Sequence, residues 1–83
     1  MNEDLKTKLR IWAYDKMWDV IEKGQEPEDE WFEVDSSIPE LNGKIDVNIY
    51  YDMDGIVRAC AYDVITDSKG MKTTNCETWT EVF

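Results

Sequence analysis

The residues able to do chemistry in this chain are almost all carboxylic acids. Nineteen Asp and Glu stand against nine Lys and Arg, His is absent, and Cys occurs twice, at Cys60 and Cys76. A thiol attacks as a nucleophile when a neighbouring base or a depressed pKa makes it thiolate, and a chain without imidazole lacks the usual activator. Two separated cysteines and no histidine also fall short of every common zinc-ligand spacing. No metal or cofactor is therefore expected. Cys60, between Ala59 and Ala61, reads as a small core filler of a strand. A Cys60–Cys76 disulfide is sterically open if their strands are neighbours, although a cytoplasmic chain keeps its thiols reduced.

The most pointed acidic motif is Ile49-Tyr50-Tyr51-Asp52-Met53-Asp54-Gly55-Ile56-Val57. An apolar strand followed by Asp-x-Asp-Gly and a second apolar pair resembles the nucleophile motif of the haloacid dehalogenase phosphatases. The resemblance implies Asp52 as the group attacking phosphorus, Asp54 as general acid/base, and a bridging magnesium. It covers nine residues, and only 28 follow Gly55, where that family needs several further βα units. Asp63 and Asp67 lie within a strand's length of Asp54, too near to serve as its later acidic motif. Nor is the segment a calcium loop. Setting Gly55 at the required glycine puts Tyr50 at the first ligand position and Ala61 where a bidentate Glu belongs. The competing account is that Asp54-Gly55 turns a hairpin, since both residues tolerate positive φ. On that account the chain is not an enzyme.

These acids must be held by a small scaffold. Eighty-three residues make one domain with a modest core, and ten aromatic residues argue against disorder. Residues 1–24 predict one long helix. Asn2 is placed to cap it, Glu3 and Asp4 suit the positive end of its dipole, and Gly24 and Pro27 terminate it. Leu5, Leu9, Trp12, Ala13, Met17 and Val20 form a continuous stripe, which Ile11, Tyr14, Trp18 and Ile21 widen to an apolar arc of roughly 220°, about twice what a surface helix needs. Residues 25–44 form an acidic connection in which Trp31-Phe32-Glu33-Val34 has the character of a short edge strand. Residues 45–83 change to a period of two. Ile45, Val47, Ile49 and Tyr51 alternate with polar neighbours, and turns at Asp52–Gly55 and Asp67–Gly70 divide the segment into an antiparallel meander, with an irregularity near Asn75. The fold class is α+β, one long N-terminal helix packed on a three- to four-stranded antiparallel β-meander.

Charge narrows the function. The net charge is −10, and it is unevenly placed: residues 1–24 carry five bases and five acids, whereas residues 25–83 carry four bases and fourteen acids. Such a surface repels nucleic acid and anionic membranes. No apolar run reaches the roughly 20 residues of a membrane span, and no basic segment followed by an apolar run marks a secretory signal. A cytoplasmic location is expected. The acidic connection supplies a candidate interaction surface, Glu26, Glu28, Asp29, Glu30, Trp31, Phe32, Glu33 and Asp35, in which the two aromatics would be apolar anchors among charges. Its bland alternative is a solvated loop that maintains solubility. Ile11, Tyr14 and Trp18 either fold into the core under the acidic loop or form a self-association or partner patch. The functional expectation is a small acidic regulatory protein acting by protein–protein contact, with a basic, nucleic-acid-handling protein as the partner. A homo-oligomerising structural module is the alternative.

Overall fold

The computed structural model describes residues 1–22 and 30–83. Among these the chain forms α1 (Glu3–Glu22), β1 (Glu30–Glu33), β2 (Ile45–Tyr51), β3 (Val57–Thr66) and β4 (Lys72–Val82). The strands make one antiparallel sheet in sequential order, β1-β2-β3-β4, and α1 lies across one face of it. This is the expected α+β arrangement, with β1 as the fourth strand. Gly24 and Pro27, expected to end the helix, lie outside the described residues.

The helix starts where its capping residue dictates. Asn2 Oδ1 accepts a hydrogen bond of 2.8 Å from the Leu5 N–H, satisfying one of the donors a helix leaves open in its first turn. Leu9, Trp12, Ala13, Met17 and Val20 are then buried. The narrower of the two stripes in the sequence is thus the one that meets the sheet. Ile11, Tyr14 and Trp18 remain 60%, 45% and 43% exposed.

The inner face of the sheet presents Phe32, Ile45, Val47, Ile49, Ala59, Ala61 and Trp79 to the helix. Val34, Ile38 and Leu41, from the connection between β1 and β2, close the core beside them. That connection is pinned at both ends. Val34 exchanges backbone hydrogen bonds with Ile45 and Gly43, and Asp35 Oδ1 accepts from the Ser37 N–H at 3.0 Å. Trp12 meets Phe32 edge-on, with ring centroids 6.4 Å apart, in the geometry aromatic quadrupoles favour.

Two turns of one design reverse the meander. In the first, Asp52 Oδ1 accepts from the Asp54 and Ile56 N–H groups, and in the second Asp67 Oδ1 accepts from Lys69 and Met71. Gly55 (φ 76°) and Gly70 (φ 81°) supply the left-handed residue each loop needs. The register between β3 and β4 shifts between Ala61 and Tyr62 and again between Tyr62 and Val64, opposite the stretch of β4 that holds Asn75. These bulges bend a long outer strand, a common device for discouraging edge-to-edge pairing.

Leu9 is fully buried in this small core, so Leu9→Ala is expected to lower unfolding free energy by about 3 kcal/mol. Met53, wholly exposed at a turn tip, is expected to tolerate alanine within about 0.5 kcal/mol. Urea denaturation of both variants checks the pair.

Candidate interaction surface

Strand alternation decides which residues of the connection are presented outward. In β1, Phe32 turns into the core, while Trp31 and Glu33 emerge on the face away from the helix. Glu30 is half-buried at the start of the strand and accepts a 3.3 Å hydrogen bond from Asn48 Nδ2 at its carbonyl. Asp35 lies past the strand, where hydrogen bonds from the Ser37 side chain and backbone hold its carboxyl below the usual Asp value. The Trp12 indole N–H, buried and without a hydrogen bond among the described residues, adds a smaller pull of the same sign. Glu26, Glu28 and Asp29 lie outside the described residues. Of the five described residues of that candidate surface, Trp31 and Glu33 are brought together on one open face.

Their neighbours on that face come from the meander, which sequence spacing alone does not pair with them. The register sets Trp31 against Asn48 and Glu33 against Asp46, and on the other side of β2 it sets Asp46 against Tyr62 and Asn48 against Cys60. The Trp31 and Tyr62 rings reach over β2 to each other, centroids 5.5 Å apart. Beneath them Asn48 is 6% exposed. A position that alternation alone would leave in water is thus roofed by two aromatic rings. Cys60 is buried on this same face, not in the helix-facing core. Tyr50 Oη and Thr80 Oγ1 each lie 3.7 Å from its sulfur, and that contact, with burial, raises the Tyr50 pKa. Cys76 is exposed on β4, and the two cysteines are not joined.

The electrostatics of the face are unbalanced. Glu33 and Asp46 stand directly opposite each other, a cross-strand arrangement that costs stability when both are ionised. Burial first, and then Glu33, raises the Asp46 pKa, while Lys72 opposes the shift. Lys72 Nζ reaches Glu33 Oε1 only at 3.9 Å. Glu77, which pairs with Tyr62 in register, adds a further acid and hydrogen-bonds the Thr80 hydroxyl.

The Asp-x-Asp-Gly motif has a structural occupation. Besides its two turn bonds, Asp52 accepts from Arg58 Nε at 2.6 Å through Oδ2. The Arg58 contact, followed by the Ile56 N–H, holds its carboxyl below the ordinary value. A carboxylate engaged at both oxygens is a poor nucleophile, whereas it fixes a hairpin well. Among the described residues no three of His, Cys, Asp and Glu converge as a metal site, and no helix is long and apolar enough to cross a membrane.

Two pH effects of opposite sign follow. Asp46 has a raised folded pKa, so its contribution is most favourable when protonated and is lost as pH rises through that value. Asp46→Asn is accordingly expected to stabilise the protein at neutral pH, with the gain vanishing below about pH 4. Asp52 has a lowered folded pKa, so its contribution is present at neutral pH and lost as pH falls through that value. Asp52→Ala is expected to lower the thermal midpoint by several degrees at pH 7. Asp52→Asn, which keeps the Oδ1 acceptor, should lose less and flatten the acid limb. Thermal melts from pH 3 to pH 8, measured by circular dichroism, read all three variants.

Comparison of the chain with protein-family models, with curated proteins and with solved structures finds no match.

Proposed function

We propose that this chain is a non-enzymatic binding protein that acts by protein–protein contact, its acidic outer sheet face engaging a basic surface of the partner. The observation that carries the reading is the juxtaposition of the Trp31–Tyr62 ring pair with the facing Glu33 and Asp46 carboxylates. Aromatic faces attract Lys and Arg cations, and carboxylates beside them supply charge-assisted acceptors for the same groups. A cation placed between Glu33 and Asp46 also relieves a repulsion that the isolated fold sustains. Trp31 is 50% exposed, a cost to a lone protein and the kind of anchor on which interfaces concentrate their energy.

The wider field favours the same class of partner. The acid excess of residues 25–83, to which Glu33, Asp46 and Glu77 contribute on the sheet, would attract basic macromolecules and repel polyanions. Basic surfaces of this kind are most common on proteins that handle nucleic acid, and an acidic module seated on one would keep the polyanion away. In this reading the protein is a neutralising or regulatory partner of a nucleic-acid-handling protein.

An arginine-rich peptide, titrated and followed by calorimetry, tests the face before any natural partner is known. Binding is expected to weaken about tenfold or more between roughly 0.05 M and 0.5 M salt, as contacts between exposed charges must when the Debye length shortens. Trp31→Ala leaves net charge unchanged and is expected to weaken binding about fivefold, an effect that nonspecific attraction to a −10 chain would not give. Salt-independent binding, or equal binding by native protein, Trp31→Ala and a Glu33→Gln/Asp46→Asn double variant, overturns the assignment.

A further inference from the structure

The opposite side of the molecule carries a second surface that the acidic face does not use. Ile11, Tyr14 and Trp18 stand on the side of α1 away from the sheet, 60%, 45% and 43% exposed. Tyr14 joins them to the end of β4. Its ring lies 6.0 Å from that of Trp18 and 5.6 Å from that of Phe83, both edge-on. A shallow groove of about 460 Å³ runs between Arg10, Ile11, Tyr14, Val82 and Phe83. Ile11, Tyr14 and Trp18 together expose roughly 300 Å² of largely apolar surface, within the range of the largest patch on a typical monomer.

Three features identify what covers it. The first is charge. Residues 1–24 carry five bases and five acids, whereas the remainder carries the whole excess of −10. The helix is therefore the side through which two copies of this acidic chain approach with least repulsion. The second is spacing. Ile11, Tyr14, Trp18 and Ile21 follow intervals of three, four and three residues, the a/d seam along which two helices pack. Ile21 turns back against the core, so the open seam is two turns long. The third is the pair of charges flanking that seam. Arg10 occupies the position before the a residue Ile11, and Asp15 follows the d residue Tyr14. When two such helices run parallel, these positions face each other across the seam and opposite charges attract. Antiparallel helices would set Asp15 of one copy toward Glu22 of the other. Arg10 Nε contacts Glu81 at 3.3 Å, but its side chain is 63% exposed, leaving other guanidinium N–H groups for a second acceptor.

We propose that α1 pairs in parallel with α1 of a second copy, burying Ile11, Tyr14 and Trp18 and setting Arg10 of each chain against Asp15 of the other. Two apolar patches of roughly 300 Å², with their polar margins, bury about 800–1,000 Å² in all, the size of a weak, transient interface. The dimer is accordingly expected to form in the tens of micromolar, not the nanomolar, range.

Sedimentation equilibrium from about 1 µM to about 500 µM, at roughly 0.05 M and 0.5 M salt, measures it. A dimer that holds or tightens in high salt is expected, because screening reduces the repulsion between two acidic chains. Ile11→Asp, at an exposed position, is expected to weaken dimerisation more than tenfold while circular dichroism and thermal midpoint stay native. Arg10→Asp and Asp15→Arg are each expected to weaken it, and the double reversal to restore it. A monomer at the highest concentration overturns the proposal. So does a dimer indifferent to Ile11→Asp, which places the contact elsewhere. Charge reversals that do not rescue each other overturn the parallel pairing. The arginine-rich peptide reads the other face and loses affinity in salt, so either proposal fails without the other.

Discussion

Three alanines, Ala13 on α1 and Ala59 and Ala61 on β3, are fully buried in the core that helix and sheet share. Larger side chains frame this centre. Leu9 and Met17 stand on the helix, Val47 and Ile49 on the neighbouring strand, and Trp12 and Trp79 are also buried in the cluster. A close-packed interior tolerates added methylenes poorly, so the orientation of α1 is tied to the small centre beneath it. Because one helix and one sheet make only one such contact, each layer keeps an outward side. A helix wide in apolar residues and a sheet roofed by aromatics therefore present two surfaces that the core does not consume.

The carboxylates divide according to how many of their lone pairs the fold uses. Asp35, Asp52 and Asp67 accept backbone N–H groups in turns, and Asp52 also holds Arg58. These acids are part of the architecture, and the lowered pKa values of Asp35 and Asp52 express it. Glu33 and Asp46 are placed differently. They oppose each other on a half-covered face, and burial together with repulsion raises the Asp46 pKa instead. An acid that the fold makes harder to ionise lowers stability once it is ionised at neutral pH. That local conflict is the feature which the proposed basic partner would relieve.

Much of the scaffold was legible in the sequence because the signals there are local. The Asn2 cap, the period of two from Ile45 and the Asp-x-x-Gly turns each act through neighbouring residues, and the helix, strands and hairpins fall where those signals put them. The acidic face was less legible for a physical reason. Trp31, Asp46 and Tyr62 are brought together by strand register, which depends on loop lengths and on the packing of the opposite face. Spacing marked Trp31 and Phe32 as paired anchors, yet alternation sends one outward and the other into the core. Cys60 reads as a core residue and is buried, but on the outer face, because Tyr50 and Thr80 cover it. Val34 was expected at the end of the edge strand, while Ile38 and Leu41 showed only as parts of a polar connection, and the burial of all three becomes apparent once that segment folds back beside the core.

The two outward surfaces lie on opposite sides of a two-layer molecule, and that placement matters more than either surface alone. Contact through α1 leaves the outer sheet face of each copy open, so a pair of chains would present two acidic faces on its flanks. Two modest contacts made by a linked pair reinforce each other through effective concentration, provided that the partner's basic sites match their separation. A weak helix-mediated pairing would then couple to partner binding. A partner with two suitably spaced basic sites would draw monomers together, and a partner with one would not. If both proposals hold, charge outside the helix would direct the partner, while added charge on the helix would oppose the pairing.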